Sequence, residues 1–288
     1  MPLLRHLIVG SGGGSANSGT VASGGGGGGE VKYTFDVDLA AGTYAVVVAG
    51  AAAVATNGGS SSFNGTTAIG GGASVQGANG ANGACGGGAA GSTATQRAGG
   101  TGNPGKDGGA NLINAARPAG GGGGMGSVGL KPTSANGGDG GIGVNYSAID
   151  GNYYGGGGGG GLTGAGAGGV GHDGGGNGST AAHANGYDGT PNTGGGAGGA
   201  SGNAGLGAKG GSGVVIIRYA TDEYGVCTGG NKTTVGTDTV HTFTASGNFV
   251  CVRGGPTKGK SWNGLPVSKV KSAGPLPVRA WEGWNDLR

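Results

Sequence analysis

The chain has 288 residues, of which 85 are glycine, while only 5% are aromatic and 10% are charged. So little aromatic and apolar material excludes one large hydrophobic core, and any core must be local. Charged residues are fewer than disordered chains usually have, and the formal net charge of +3 comes without the dense basic and aromatic pattern of a nucleic-acid site.

Six segments rich in β-branched and aromatic residues interrupt the glycine, and they predict an all-β fold with no α-helix of note. In chain order they are HLIVG (6–10), VKYTFDVDL (31–39), TYAVVVAGA (43–51), SSSFNGTTAIG (60–70), SGVVIIRYA (212–220) and HTFTASGNFVCV (241–252). Strands at 3–69 and 212–252 therefore flank a glycine-rich region at 70–211.

Three of these segments allow a finer prediction. VKYTFDVDL alternates between apolar and polar residues, so we expect one face to point into a core, namely Val31, Tyr33, Phe35, Val37 and Leu39. AAGTY (40–44) predicts a turn, which would join this strand to TYAVVVAGA in a hairpin. VVIIRY is apolar on both faces and predicts a central strand.

The glycine region is regular, because glycine recurs at every third residue in windows such as GANGANGACG (77–86) and GASGNAG (199–205). Three residues per turn is the period of the polyproline II helix, which has no internal hydrogen bonds. We therefore predict a bundle of polyglycine II helices that bond backbone to backbone, with the glycine run 155–161 at its middle. Proline is too scarce, and the period breaks too often, for a collagen triple helix.

The three cysteines, Cys85, Cys227 and Cys251, lack metal-ligand spacing and do not suggest a disulfide framework. We expect reduced thiols, with a bridge between Cys227 and Cys251 as the alternative. No apolar stretch is long enough to span a membrane, so we expect no membrane insertion and synthesis in a cytoplasm.

Motifs for catalysis or cofactor binding are weak. GGPTKGKS (254–261) matches the phosphate-binding loop pattern, but the prolines and glycine after it leave no room for the helix that such a loop needs. His172, Asp173 and His183 lie in one polar stretch, where the two histidines could hold a metal ion with Asp188, yet polar decoration of loops is the simpler interpretation. No Ser, His and acid set has a hydrolase signature. We therefore predict no cofactor, no metal and no enzymatic activity.

Four tyrosines lie next to glycine runs, namely Tyr146, Tyr153, Tyr154 and Tyr187. Such residues either cap the ends of the predicted bundle or form a ligand-contacting surface on loops. Both roles remain open from the sequence.

The end of the chain differs from the rest in charge, because residues 253–288 hold 7 basic and 2 acidic residues. Its charge and its prolines predict an extended arm that lies on a neighbouring subunit. The candidate assembly residues of this arm are Trp262, Lys269, Lys271, Arg279, Trp281 and Trp284.

The order LIVGSGGG, AAGTYAVVVAGA, SSSFNG and GGSGVVIIRY resembles, over residues 3–219, the glycine-rich domain of bacteriophage tail fibres and minor tail proteins. This resemblance implies that residues 1–252 form a small jelly-roll-like β-sandwich that carries an inserted bundle of polyglycine helices. The segment WNGLPVSKVKSAGPLPVRAWEGW is similar to the Trp-Asn-Gly tails of minor tail proteins from phages of actinobacteria.

The order of segments departs from the family in one place. Members generally have a segment like HTFTASGNFVCV before the LIVG strand, whereas here it follows at 241–252. We expect it to fold back and complete the sandwich. The alternative is that it begins a truncated second domain.

The resemblance also implies a function, that of a non-enzymatic structural protein of the phage tail. Such a protein is made in the host cytoplasm, is exposed on the virion, is oligomeric there, and has other tail proteins and a host surface glycan or protein as partners. The candidate host contacts are then Tyr146, Tyr153, Tyr154, His172, His183 and Tyr187. The alternatives are a receptor-binding adhesin with a ligand site on its loops, and a capsid decoration or head-fibre protein.

Overall fold

The computed structural model describes residues 4–179, 184–202, 204–222, 224 and 226–252. Within these ranges the chain forms strands and no helix, which confirms the predicted all-β class. It follows that no helix in the described ranges could cross a membrane. The strands are β1 (Leu4–Val9), β2 (Val31–Val37), β3 (Gly42–Val47), β4 (Ser61–Phe63), β5 (Thr66–Ala68), β6 (Val144–Asn145), β7 (Tyr153–Tyr154), β8 (Val214–Ala220), β9 (Val226–Thr228), β10 (Asn231–Val235), β11 (Asp238–Phe243) and β12 (Gly247–Val252).

Two five-stranded antiparallel sheets and a small antiparallel hairpin of β6 and β7 form the β part of the chain. The first has the strand order β10-β11-β8-β1-β2, and the second has the order β5-β4-β3-β12-β9. Apolar side chains of both sheets share one core, where Ile217 and Tyr219 of the first sheet lie with Phe63 and Phe249 of the second. The two sheets therefore pack face to face.

The predicted central strand is confirmed in β8, which pairs with β1 on one side and with β11 on the other. Val215 and Ile217 belong to the core between the sheets. Val214 and Ile216 belong to a second core on the outer face of the first sheet. Because both faces are buried, the strand shows no alternation of apolar and polar residues.

The predicted hairpin between residues 31–39 and 43–51 is wrong. β2 pairs with β1 in the first sheet, whereas β3 pairs with β4 and β12 in the second. The link between β2 and β3 crosses from one sheet to the other, and Leu39 fills the core there. A strand that faces a core has the same apolar pattern in both arrangements, so the pattern did not distinguish them.

The predicted alternation of β2 holds for only part of the strand. A β-bulge interrupts the register between β1 and β2, and Asp36 adopts a φ of 57°. An extra residue reverses the facing of all residues after it. Tyr33 therefore packs on the outer face of the sheet and Val37 against the core between the sheets. Phe35 is 63% exposed, contrary to the prediction.

The segment 241–252 folds back onto both sheets, because β11 pairs with β8 and β12 pairs with β3. β12 also pairs with β9, which places Cys251 directly opposite Cys227, and these two cysteines form a disulfide. The prediction of reduced thiols is therefore wrong for these two cysteines. The sequence alone could not show the bridge, because only the pairing of β12 with β9 brings the two cysteines together. Cys85 is free and buried, and burial raises the pKa of its thiol to about 12.

Candidate functional site

The glycine segments are held together by backbone hydrogen bonds that repeat every third residue. Within residues 23–30, N–H groups that are three residues apart donate to the same neighbouring segment. Three segments accept these hydrogen bonds, namely 69–72, 120–123 and 194–200. Carbonyl oxygens of 23–30 accept N–H groups from three further segments, 10–13, 85–88 and 158–161. One glycine segment is thus bonded to six neighbours, and we call the whole assembly the glycine lattice.

The seven-glycine run 155–161 has equivalent surroundings. Its N–H groups at 157–161 donate to segments 23–26 and 138–141 and to Gly176. Its carbonyl oxygens accept from segments 119–125, 169–172 and 196–199. The run is therefore bonded on all sides, which argues against a flexible linker. The lattice also includes 10–30, a stretch that precedes the glycine-rich region expected at 70–211.

Close approach of neighbouring backbones explains the choice of glycine in this lattice. A Cβ on Gly158 would overlap the carbonyl oxygen of Ala197, and a Cβ on Gly25 would overlap the carbonyl oxygen of Gly158. A Cβ on Gly50, by contrast, would meet nothing within 4 Å. At positions such as Gly158 and Gly25, only a residue without a side chain allows this close approach.

At the exposed rim of the lattice, Asn-Gly and Asp-Gly dipeptides bind neighbouring segments through a repeated pair of hydrogen bonds. Ala98 donates its N–H to Asn79 Oδ1 at 3.0 Å, and its carbonyl oxygen accepts the N–H of Gly80 at 3.1 Å. We call this two-bond arrangement a clamp. Six clamps hold a single residue in this way, namely those of Asn79 on Ala98, Asn82 on Thr101, Asn136 on Ala167, Asp139 on Val170, Asn185 on Leu206 and Asp188 on Lys209.

Three further dipeptides form a variant of the clamp, in which the two bonds go to residues two apart. They are those of Asn57, Asp107 and Asn177. In each clamp the side-chain oxygen takes the place of a backbone carbonyl of a further glycine segment. The clamps therefore satisfy N–H groups where the lattice meets solvent.

Tyr146 belongs to an aromatic cluster that the sequence did not predict. Its ring stacks on Tyr33 with ring centroids 5.0 Å apart, and Tyr33 stacks on Phe35 at 6.1 Å. We call Tyr33, Phe35 and Tyr146 the aromatic surface. It lies on β2, an edge strand of its sheet, and beside the β6–β7 hairpin. Phe35 is exposed, whereas Tyr33 and Tyr146 are half-buried against the second core. Aromatic rings at a protein surface are frequent contacts at binding interfaces.

The other two tyrosines of the hairpin differ in exposure. Tyr153 on β7 is 54% exposed, whereas Tyr154 is buried in the second core, on the outer face of the first sheet. The hydroxyl of Tyr154 donates to Asp150 Oδ2 at 2.6 Å. Burial, followed by this bond to a carboxylate, raises the pKa of Tyr154. Tyr154 is thus a structural anchor of the hairpin, while Tyr153 is exposed to solvent.

The remaining candidate residues do not join the aromatic surface. His172 is half-buried, and its backbone bonds to Gly157 and Gly175 within the lattice. Tyr187 is 63% exposed on a segment bonded to Asn177 and Gly198. His183, the loop at 254–261 and the six candidate residues of the arm lie outside the described residues.

Sites for a metal or a small ligand are limited in the described part of the chain. It contains no cluster of three His, Cys, Asp or Glu side chains that could hold a metal ion. A cavity of about 390 Å³ lies between the segments 188–191 and 209–212. Asp188 lines it, but its Oδ1 already accepts the N–H of Lys209 at 2.8 Å.

Comparison with protein families matches residues 4–220 to a glycine-rich domain. No curated protein and no solved structure matches the chain. The matched range ends with β8, so β9 to β12 lie beyond it although they complete both sheets.

Proposed function

The chain belongs to the family of glycine-rich domains, and from this premise we propose that it is a non-enzymatic structural protein of a bacteriophage tail, exposed on the virion. The observation that carries the proposal is the glycine lattice, in which a segment such as 23–30 has six bonded neighbours. A lattice of this kind makes a stiff body from a chain with few apolar side chains, as a particle component requires.

The proposal includes the conformation of the lattice segments, which we take to be polyglycine II helices carried by a jelly-roll-like sandwich. The three-residue repeat of bond partners supports this conformation, because a helix with three residues per turn presents every third N–H to the same neighbour. The absence of internal bonds in such a helix leaves every amide free to bond outward.

The assignment to the tail rests on sequence. The resemblance to tail fibre and minor tail proteins covers residues 3–219, and the Trp-Asn-Gly segment near residue 262 supports it independently. The arm at 253–288 then serves assembly with other tail proteins in an oligomeric particle. Removing residues 254–288 should reduce incorporation into particles and leave the melting temperature unchanged. A truncated chain that unfolds would contradict this role.

Immunogold labelling of phage particles with antibodies against the chain tests the proposed location. We expect gold on the tails. Gold on the heads would favour a capsid decoration or head-fibre protein instead. Particles without the chain, checked by mass spectrometry of purified virions, would contradict a role in the virion.

The aromatic surface favours a second candidate function, that of a receptor-binding adhesin for a host surface glycan or protein. Purified chain added to host cells should then compete with phage adsorption. Tyr146→Ala and Phe35→Ala should abolish the competition, whereas Val235→Ala, a change at another exposed apolar residue, should not. Competition that survives both aromatic substitutions would contradict a ligand site here, and loss in Tyr187→Ala alone would move the site to that residue.

A further inference from the structure

Asparagine followed by glycine is the sequence most prone to spontaneous deamidation, because the glycine leaves the backbone nitrogen accessible. The described residues contain seven such pairs, which begin at Asn57, Asn64, Asn79, Asn82, Asn136, Asn177 and Asn185. All seven asparagines are exposed, so exposure does not distinguish them. Their hydrogen bonds do.

Six of the seven pairs have both reacting groups engaged in the lattice. In each, the side-chain Oδ1 accepts a backbone N–H from a neighbouring segment, at 2.7 to 3.0 Å. In each, the N–H of the following glycine donates to a carbonyl oxygen, at 2.8 to 3.2 Å. The clamps therefore engage both the side-chain carbonyl and the backbone N–H that must lose its proton, so both bonds must open before the two groups can react.

Asn64 and Gly65 form the exception. They make the two-residue turn between β4 and β5, with φ of 47° and 74°. No hydrogen bond to the Gly65 N–H or to the Asn64 side chain exists among the described residues. A Cβ on Gly65 would meet nothing within 4 Å, so the space around the turn is open.

We propose that Asn64 is a site of spontaneous deamidation, and that the lattice protects the other six Asn-Gly pairs. The Gly65 nitrogen loses its proton and attacks Cγ of Asn64, so that a C–N bond forms and ammonia leaves. Water then opens the resulting succinimide at either carbonyl, which yields aspartate or isoaspartate. The reaction adds a negative charge to the exposed β4–β5 turn, and isoaspartate also lengthens its backbone.

The test is peptide mapping by mass spectrometry of the full chain, incubated in mildly alkaline buffer with and without denaturant. In the folded chain Asn64 should react on the order of a hundredfold faster than the six clamped asparagines, because those sites react only after local opening. In denaturant all seven should react at similar rates. The pair Asn263-Gly264 lies outside the described residues and is not compared.

Two results would overturn the proposal. Equal rates at Asn64 and the clamped sites in the folded chain would mean that the clamps give no protection. A preference for Asn64 that persists in denaturant would mean that local sequence, and not the fold, selects the site.

Discussion

The carbonyl oxygen of Ala197 occupies the place that a Cβ on Gly158 would need. Gly158 also donates its N–H to Gly26 and accepts the N–H of Gly122, at 2.9 and 2.8 Å. These contacts make Gly158 a sensitive probe of the lattice interior.

Gly158→Ala should lower the free energy of unfolding by about 3 kcal/mol or more, because the methyl group must push backbone segments apart. The matched change Gly50→Ala introduces the same methyl group where nothing lies within 4 Å. It should change stability by less than about 0.5 kcal/mol. Denaturant unfolding of both variants measures the difference. Equal stabilities would mean that the lattice is looser than described.

Replacing Asn79 tests a clamp at the rim. Asn79→Ala removes the acceptor of the Ala98 N–H and should cost about 1 kcal/mol. Asn79→Asp keeps an oxygen in the same place, as Asp139 and Asp188 do in their own clamps. It should be close to neutral. Thermal melts of the two variants would contradict the clamp if both lost the same stability.

The disulfide between Cys227 and Cys251 links β9 to β12 across 24 residues of sequence. Its reduction should lower the free energy of unfolding by about 2 to 4 kcal/mol. The double variant Cys227→Ala, Cys251→Ala should match the reduced protein and should not respond to reductant. A wild-type protein whose unfolding is the same with and without reductant would show that the bond adds no stability.

His6 predicts a loss of stability in acid. It is buried beside Phe63, and burial lowers the pKa of His6 to about 4, below its ordinary value of 6.5. The unfolded chain therefore binds a proton first as pH falls. Stability should decline from about pH 6.5 towards pH 4, by up to about 3 kcal/mol from this residue.

His241 adds to this decline, because burial also lowers its pKa. Its Nδ1 donates to the Gly229 carbonyl at 2.6 Å, so Nε2 accepts from the Tyr219 hydroxyl at 2.9 Å. In the variant His6→Leu, the free energy of unfolding should depend less steeply on pH, and the remaining decline should be the part due to His241. Denaturant unfolding across this pH range measures the effect. If the free energy of unfolding of His6→Leu falls as steeply with pH as that of the wild type, the role of His6 is contradicted.

β6, β7, β9 and β10 lie outside the six predicted segments. The positions of the other eight strands in the described residues could be predicted, because β-branched and aromatic residues are otherwise scarce in this chain. The partners of the strands could not. β2 and β3 are close in sequence but belong to different sheets, and Cys227 meets Cys251 only because β9 pairs with β12. Such pairings depend on contacts between distant segments, which the apolar pattern of one segment does not specify.

The rim of the lattice shows a similar limit. Asn-Gly and Asp-Gly usually indicate tight turns, and Asn64-Gly65 is such a turn. Nine other pairs bind neighbouring segments instead. One signal was available, since Asn79 and Asn82, Asn136 and Asp139, and Asn185 and Asp188 each recur at the period of the glycine. The stacking of Tyr146 on Tyr33, more than a hundred residues away, had no such signal.

Hydrogen–deuterium exchange of the folded chain tests most directly the central claim, that glycine segments become rigid by bonding to one another. We predict that amides at 23–30 and 155–161 exchange as slowly as those of the central strand β8, because both segments lie inside the lattice and open only with large parts of the fold. Exchange at these two segments as fast as in an unfolded peptide, with β8 still protected, would contradict it.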